Sequence, residues 1–160
     1  MRLSRLFLLL WIGLAVASCS DGSLDTEFTQ HRTGGYLFSA TNADETVRLG
    51  LVADWDAARA GDPPTSAPVP GAFWSGELVV GHDLFVNFGD GLDDEVDEQT
   101  LIDERWSVVS GTITIEGGYP PPCGLLEARA TGLVLESDDG RTMNLDRVDL
   151  RNREWGCEYG

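Results

Sequence analysis

The strongest constraint on this chain is a period-two alternation of apolar and polar residues, repeated in short segments that Gly, Pro, Asn and Asp interrupt. Val47, Leu49, Leu51, Ala53 and Trp55 fall on one face of an extended segment, and Arg48, Gly50, Val52 and Asp54 on the other. Leu84, Val86 and Phe88 repeat the pattern, as do Gly111, Ile113 and Ile115. Further strands are expected over Tyr36 to Ala40, Glu77 to Val80, Trp106 to Val109 and Leu125 to Thr131. Leu133 to Ser137 and Arg141 to Leu145 flank Asp138-Asp139-Gly140, whose glycine can take the positive φ of a hairpin turn. The inward parity slips between Leu145 and Val148, which predicts a bulge at Asp146 or Arg147. Asp56 to Gly71 holds four prolines, so it reads as a long exposed loop with one helical turn at its start. No long helical period competes with this pattern. The expected class is therefore all-β, an antiparallel β-sandwich of about eight short strands, with a small closed β-barrel as the alternative arrangement.

The N-terminus has a different character. Met1 to Arg5 is short and basic, Leu6 to Val16 is apolar, and Val16-Ala17-Ser18-Cys19 closes the run with small residues and a cysteine. The apolar run is too short to span a bilayer and reads as an export signal. The closing tetrapeptide resembles the lipobox of bacterial lipoproteins. That resemblance implies cleavage before Cys19, lipidation of its thiol and acylation of the new amino terminus. Several acyl chains at about 0.8 kcal/mol per buried CH₂ would make a stable membrane anchor. Ser20 stands where aspartate serves as an inner-membrane retention signal in some diderm bacteria, so the resemblance places the protein at the outer membrane or cell surface. The expected organisation is a signal peptide over 1–18, a lipidated cysteine with an acidic tether over 19–30, and one β domain over 31–160. The segment beginning Ser110-Gly111-Thr112-Ile113-Thr114-Ile115 loosely resembles envelope lipoproteins of unassigned function, a likeness that brings no activity with it.

Charge narrows the partners. Eleven arginines and no lysine face 27 acidic residues, a formal net charge of −16. Nucleic acid and anionic headgroups need clustered cations, so neither is an expected ligand. Two cysteines remain besides Cys19. In an oxidising envelope compartment Cys123 and Cys157 are expected to form a disulfide, with a free thiol as the competing reading. The bridge would close a loop of about 35 residues, worth about 3.8 kcal/mol by chain entropy.

Candidate chemistry is sparse. The usual bases for nucleophilic catalysis are two histidines, His31 and His82. His82 and Asp83 are sequence neighbours that a strand would point to opposite faces, and His82 reads as a surface or turn residue. No phosphate-binding glycine loop and no His-Glu-x-x-His zinc motif occurs, and an enzyme is not expected. Between Asp90 and Glu104 lie eight carboxylates in fifteen residues. Calcium takes six to eight oxygen ligands, and Asp90, Asp93, Glu95, Asp97 and Glu104 are the candidate ligands for it. Asp93, Glu95, Asp97 and Glu104 match positions 1, 3, 5 and 12 of an EF-hand loop, but Glu98 stands where that loop needs glycine. The competing reading is a solvated acidic loop. Phe73, Trp74, Trp155 and Tyr159 are either core plugs or rings for stacking on a sugar, with the core favoured. The functional expectation is a lipid-anchored envelope protein with a non-enzymatic binding or structural role, its partner an envelope protein or a glycan. A calcium-dependent binding module is the alternative. No cofactor beyond calcium is a candidate.

Overall fold

The computed structural model describes residues 24–32, 35–84, 101–118 and 123–157. Eight strands and one helix follow in chain order: β1 Phe28–Arg32, β2 Leu37–Asn42, β3 Val47–Ala53, α1 Trp55–Ala60, β4 Ser66–Pro68, β5 Trp74–Gly81, β6 Ile102–Gly118, β7 Gly124–Ser137 and β8 Thr142–Trp155. All pairings are antiparallel and belong to one sheet, ordered β1-β2-β3-β5-β6-β7-β8, with β4 added beside β6. The sheet curls until β8 packs against β1 and β2, which makes a nearly closed barrel. The all-β class and the strand number agree with the sequence. Of the two arrangements the alternation allows, the single curled sheet is the barrel.

Long strands make this curl. The segments read separately as Trp106 to Val109 and Gly111 to Ile115 are one strand, β6, and Leu125 to Thr131 and Leu133 to Ser137 are likewise one strand, β7. β6 and β7 each change their inward-facing parity once, and β8 changes at the same level and again before Trp155, where the β7–β8 register shifts. Trp106 and Val108 give way to Ile113, Leu126, Ala128 and Ala130 to Leu133 and Leu135, and Leu145 to Val148 and Leu150. The three changes line up across the sheet, forming a corner. Gly132 sits on that line with φ of 58°, a conformation that costs other residues strain. A Cβ on Gly111 would fall 2.5 Å from Leu133 Cδ2, so the corner also needs a bare backbone in β6. The bulge expected at Asp146 or Arg147 is absent from the β7–β8 register, which runs unbroken from Leu133↔Leu145 to Thr131↔Arg147. Both strands turn together instead, the register shifts along this line fall between β6 and β7, and the β7–β8 ladder shifts only near its far end, between Gly124 and Leu126.

Inside the curl, Phe38, Trp74 and Trp155 form one ring cluster with centroids 5.4–5.7 Å apart. Trp74 and Trp155 are each only 1% exposed, so the core reading of these rings holds and they offer no face to a sugar. Phe73 packs on Trp74, while Tyr159 lies outside the described residues. Trp55 departs from the alternation that placed it on the inner face of β3. Asp54 Oδ1 accepts the N–H of Ala57 at 2.9 Å and caps α1, so the strand stops at Ala53 and Trp55 is 50% exposed. The loop over 56–71 does open with a helical turn, and it also contributes the edge strand β4 through Ala67↔Ile113. Leu84 is buried in the turn after β5, and the rest of the strand expected over 84–88 lies outside the described residues.

The seam of the barrel is closed by a side chain rather than a ladder. Asn152, fully buried, donates its amide to the carbonyls of Leu37 at 2.7 Å and Gly35 at 3.4 Å, and its oxygen accepts the N–H of Glu154 at 2.8 Å. Gly156 N–H adds a bond to Gly35 O at 3.0 Å. At the same end, the sulfurs of Cys123 and Cys157 lie within bonding distance and their Cα atoms are 4.6 Å apart, inside the range a disulfide spans. The folded part begins earlier than residue 31. Leu24 and Phe28 pack on the core and Gln30 pairs with Thr41, so residues 24–30 of the expected tether belong to the domain.

Candidate binding site

Ser137, Asp139 and Arg141 build the turn between β7 and β8. The Ser137 hydroxyl donates to Asp139 and accepts the Arg141 N–H at 3.1 Å, while Gly140 takes φ of 84° between them. The Arg141 guanidinium then reaches back, with Nε 2.9 Å from both oxygens of Asp139. The pairing of Trp106 with Ser137 brings the start of β6 alongside this turn. Glu104 thereby meets Arg141 in an ion pair, and the guanidinium carbon stands 5.0 Å above the Trp106 ring. A half-exposed arginine is thus held from three sides by two carboxylates and an aromatic face.

Two clefts flank Arg141. One, of about 560 Å³, lies between Ile102–Arg105 and the hairpin turn and carries Asp103, Glu104, Asp138 and Asp139. The other, of about 350 Å³, lies toward the seam and is lined by Leu24, Thr26, Trp106, Met143 and Leu145. The first is acidic and open. The second has an apolar floor.

The Ser137 hydroxyl, and then Arg141, hold the Asp139 carboxyl down at about 2. A depressed folded value stabilises the native state above the ordinary carboxylate pKa, and that contribution disappears as pH falls from about 3.8 toward 2. Asp139 is fully exposed, so the titration itself is the better readout. In carboxyl-detected NMR, the Asp139 midpoint is expected near 2 in the native protein and should rise toward 3.8 in Ser137→Ala. An unchanged midpoint in that variant would refute the hydroxyl as the main cause.

Elsewhere four arginines make ion pairs on the outer face, across strands except for Arg147, whose partner lies on its own strand. Arg129 bridges Glu116 and Asp149, Arg147 also holds Asp149, Arg151 holds Glu127 and Arg105 holds Glu77. Such exposed pairs contribute about 0–1 kcal/mol each. Their larger effect is to leave the uncompensated carboxylates around the hairpin end. Arg147, then Arg129, hold the Asp149 carboxyl below its usual range.

The residues singled out in the sequence fall apart in space. His31 is half-buried on β1 beside β8, where burial holds its imidazole below the usual value, Arg151 pushes the same way and Asp149 opposes. His82 is exposed in the turn after β5, as a surface or turn residue. Of the five candidate calcium ligands, Asp90, Asp93, Glu95 and Asp97 lie outside the described residues, and the Glu104 carboxylate is engaged by Arg141. Among the described residues, no three acidic, histidine or cysteine side chains gather as metal ligands. Cys19 also lies outside the described residues. Sequence reasoning missed the Arg141 cluster, although Ser137-x-Asp139-Gly140-Arg141 carries its turn chemistry. Glu104 and Trp106 enter only through the β6–β7 register.

Compared with known proteins, the chain matches no family model, no curated sequence and no solved structure.

Proposed function

We propose that this protein is a lipid-anchored component of the bacterial envelope, at the outer membrane or cell surface, that works by binding or as a structural element rather than by catalysis. The observation that carries this reading is the lipobox-like Val16-Ala17-Ser18-Cys19 leading within five residues to Leu24, which already packs on the barrel. Five residues reach at most about 16–18 Å, so acylation of Cys19 would hold the domain close to the bilayer. A Cys123–Cys157 bridge suits an oxidising compartment outside the cytoplasm. The clefts at the hairpin end fit binding: their arginine is neutralised by Asp139 and Glu104, and Asp139, held at about 2, is a poor proton acceptor at neutral pH.

Expression of the full chain in a diderm bacterium fed labelled palmitate tests the anchor. The native chain is expected to take up label and partition into detergent with the outer membrane, and Cys19→Ser to lose both properties. An unlabelled native chain in the soluble fraction would overturn the reading.

A further inference from the structure

The barrel seam differs between its two ends. Toward the C-terminus of β8, Asn152 and Gly156 close it through the carbonyls of Gly35 and Leu37. Over Thr142–Leu145 no described residue takes up the outer edge of β8. The facing wall there is Leu24 and Thr26, across the cleft of about 350 Å³. In an antiparallel pair every second residue turns its N–H and C=O away from the partner strand, so this stretch of β8, paired only with β7, carries open donors and acceptors along the cleft.

We propose that this edge takes up an extended, basic polypeptide segment by strand addition, an inference that rests on reading the protein as a binding component of the envelope. Main-chain bonds to β8 would supply affinity, and alternate side chains would supply selectivity. Side chains on one face of the added strand meet Trp106 and Leu145 on the cleft floor. The adjoining cleft across Arg141 carries the carboxylates of Asp103, Glu104, Asp138 and Asp139 along the rim, and Glu104 lines both clefts. Arg141 offsets only one of the charges on Asp139 and Glu104, and Arg105 is engaged by Glu77, so the rim around Asp103 and Asp138 keeps a net negative charge. Charge complementarity thus favours lysine or arginine alternating with apolar residues. A second copy of this chain would bring another net charge of −16 to the same rim.

The test uses the full chain in detergent and a capped octapeptide of alternating lysine and valine, with the glutamate–valine peptide as control. Hydrogen exchange is expected to slow at amides within 142–146 on adding the lysine peptide, with binding that weakens as salt is raised. Asp103→Asn combined with Asp138→Asn, both exposed, should leave the fold intact and weaken binding by about two- to tenfold. Equal protection by both peptides, protection only outside this edge, or no protection would each overturn the proposal. So would concentration-dependent protection of the same amides without peptide, which would make a second copy the occupant. Acylation at Cys19 is read separately, so a failed anchor and a failed peptide site give different results.

Discussion

Replacing Trp155 with alanine is expected to cost about 3–5 kcal/mol, the range for removing a fully buried large aromatic side chain. The ring sits between Phe38 and Trp74 at 5.4 and 5.7 Å and meets the edge of Tyr36 at 5.5 Å, so its loss opens a cavity that three other rings would have to collapse into. Phe38 comes from β2, Trp74 from β5 and Tyr36 from the turn before β2, and these rings cannot close the void without moving the sheet. For a domain of this size the melting temperature should fall by on the order of 10–20 °C. Trp155→Phe should recover most of that loss. Because Trp74 and Trp155 touch, Trp74→Ala combined with Trp155→Ala should cost less than the two single changes added together. A calorimetric melt of the native protein and the four variants checks this, and a Trp155→Ala shift below a few degrees would show that the cluster is not the centre of the core.

Opening the Cys123–Cys157 link is the second large effect. The two residues are 34 positions apart and bracket the whole of β7 and β8, so the bond would remove loop entropy from the unfolded chain amounting to about 3.8 kcal/mol. Cys123→Ser with Cys157→Ser is expected to lower the melting temperature by on the order of 10–15 °C. Added reductant should bring the native protein down to the same value and leave the double variant unmoved. If reductant changes nothing in the native protein, the two thiols are not bonded in solution. The pairing of Gly124 with Trp155 joins the strand ends just inside the bridge, so fraying should begin there once it is cut.

Much of this could be read from residues taken in order. Alternation assigns a residue to a face, so the inward set over Val47–Ala53 and the parity slip between Leu145 and Val148 are legible in the sequence. The turn at Asp138-Asp139-Gly140 follows from local backbone chemistry and needs no partner. The proline content of 56–71 excluded a central strand on the same grounds, and the charge and the lipobox-like segment are properties of composition and short motifs.

Pairing is another matter, because a strand carries the same alternation whichever neighbour it meets. Whether the segments of β6 and β7 stay apart as short sandwich strands or run on as single barrel strands depends on the corner where Gly111 and Gly132 let the chain cross from one inner face to the other. That corner exists only when three strands turn together. The seam latch of Asn152 joins residues more than a hundred positions from each other, and Glu104 meets Arg141 through register across β7. These contacts come from long-range loop closure and sheet curvature, which no local window contains. The sequence by itself therefore determined class, turns, charge and the expectation of export. Only the tertiary structure decided the barrel, the aromatic centre and the open edge of β8, because each depends on which distant segments the curl brings together.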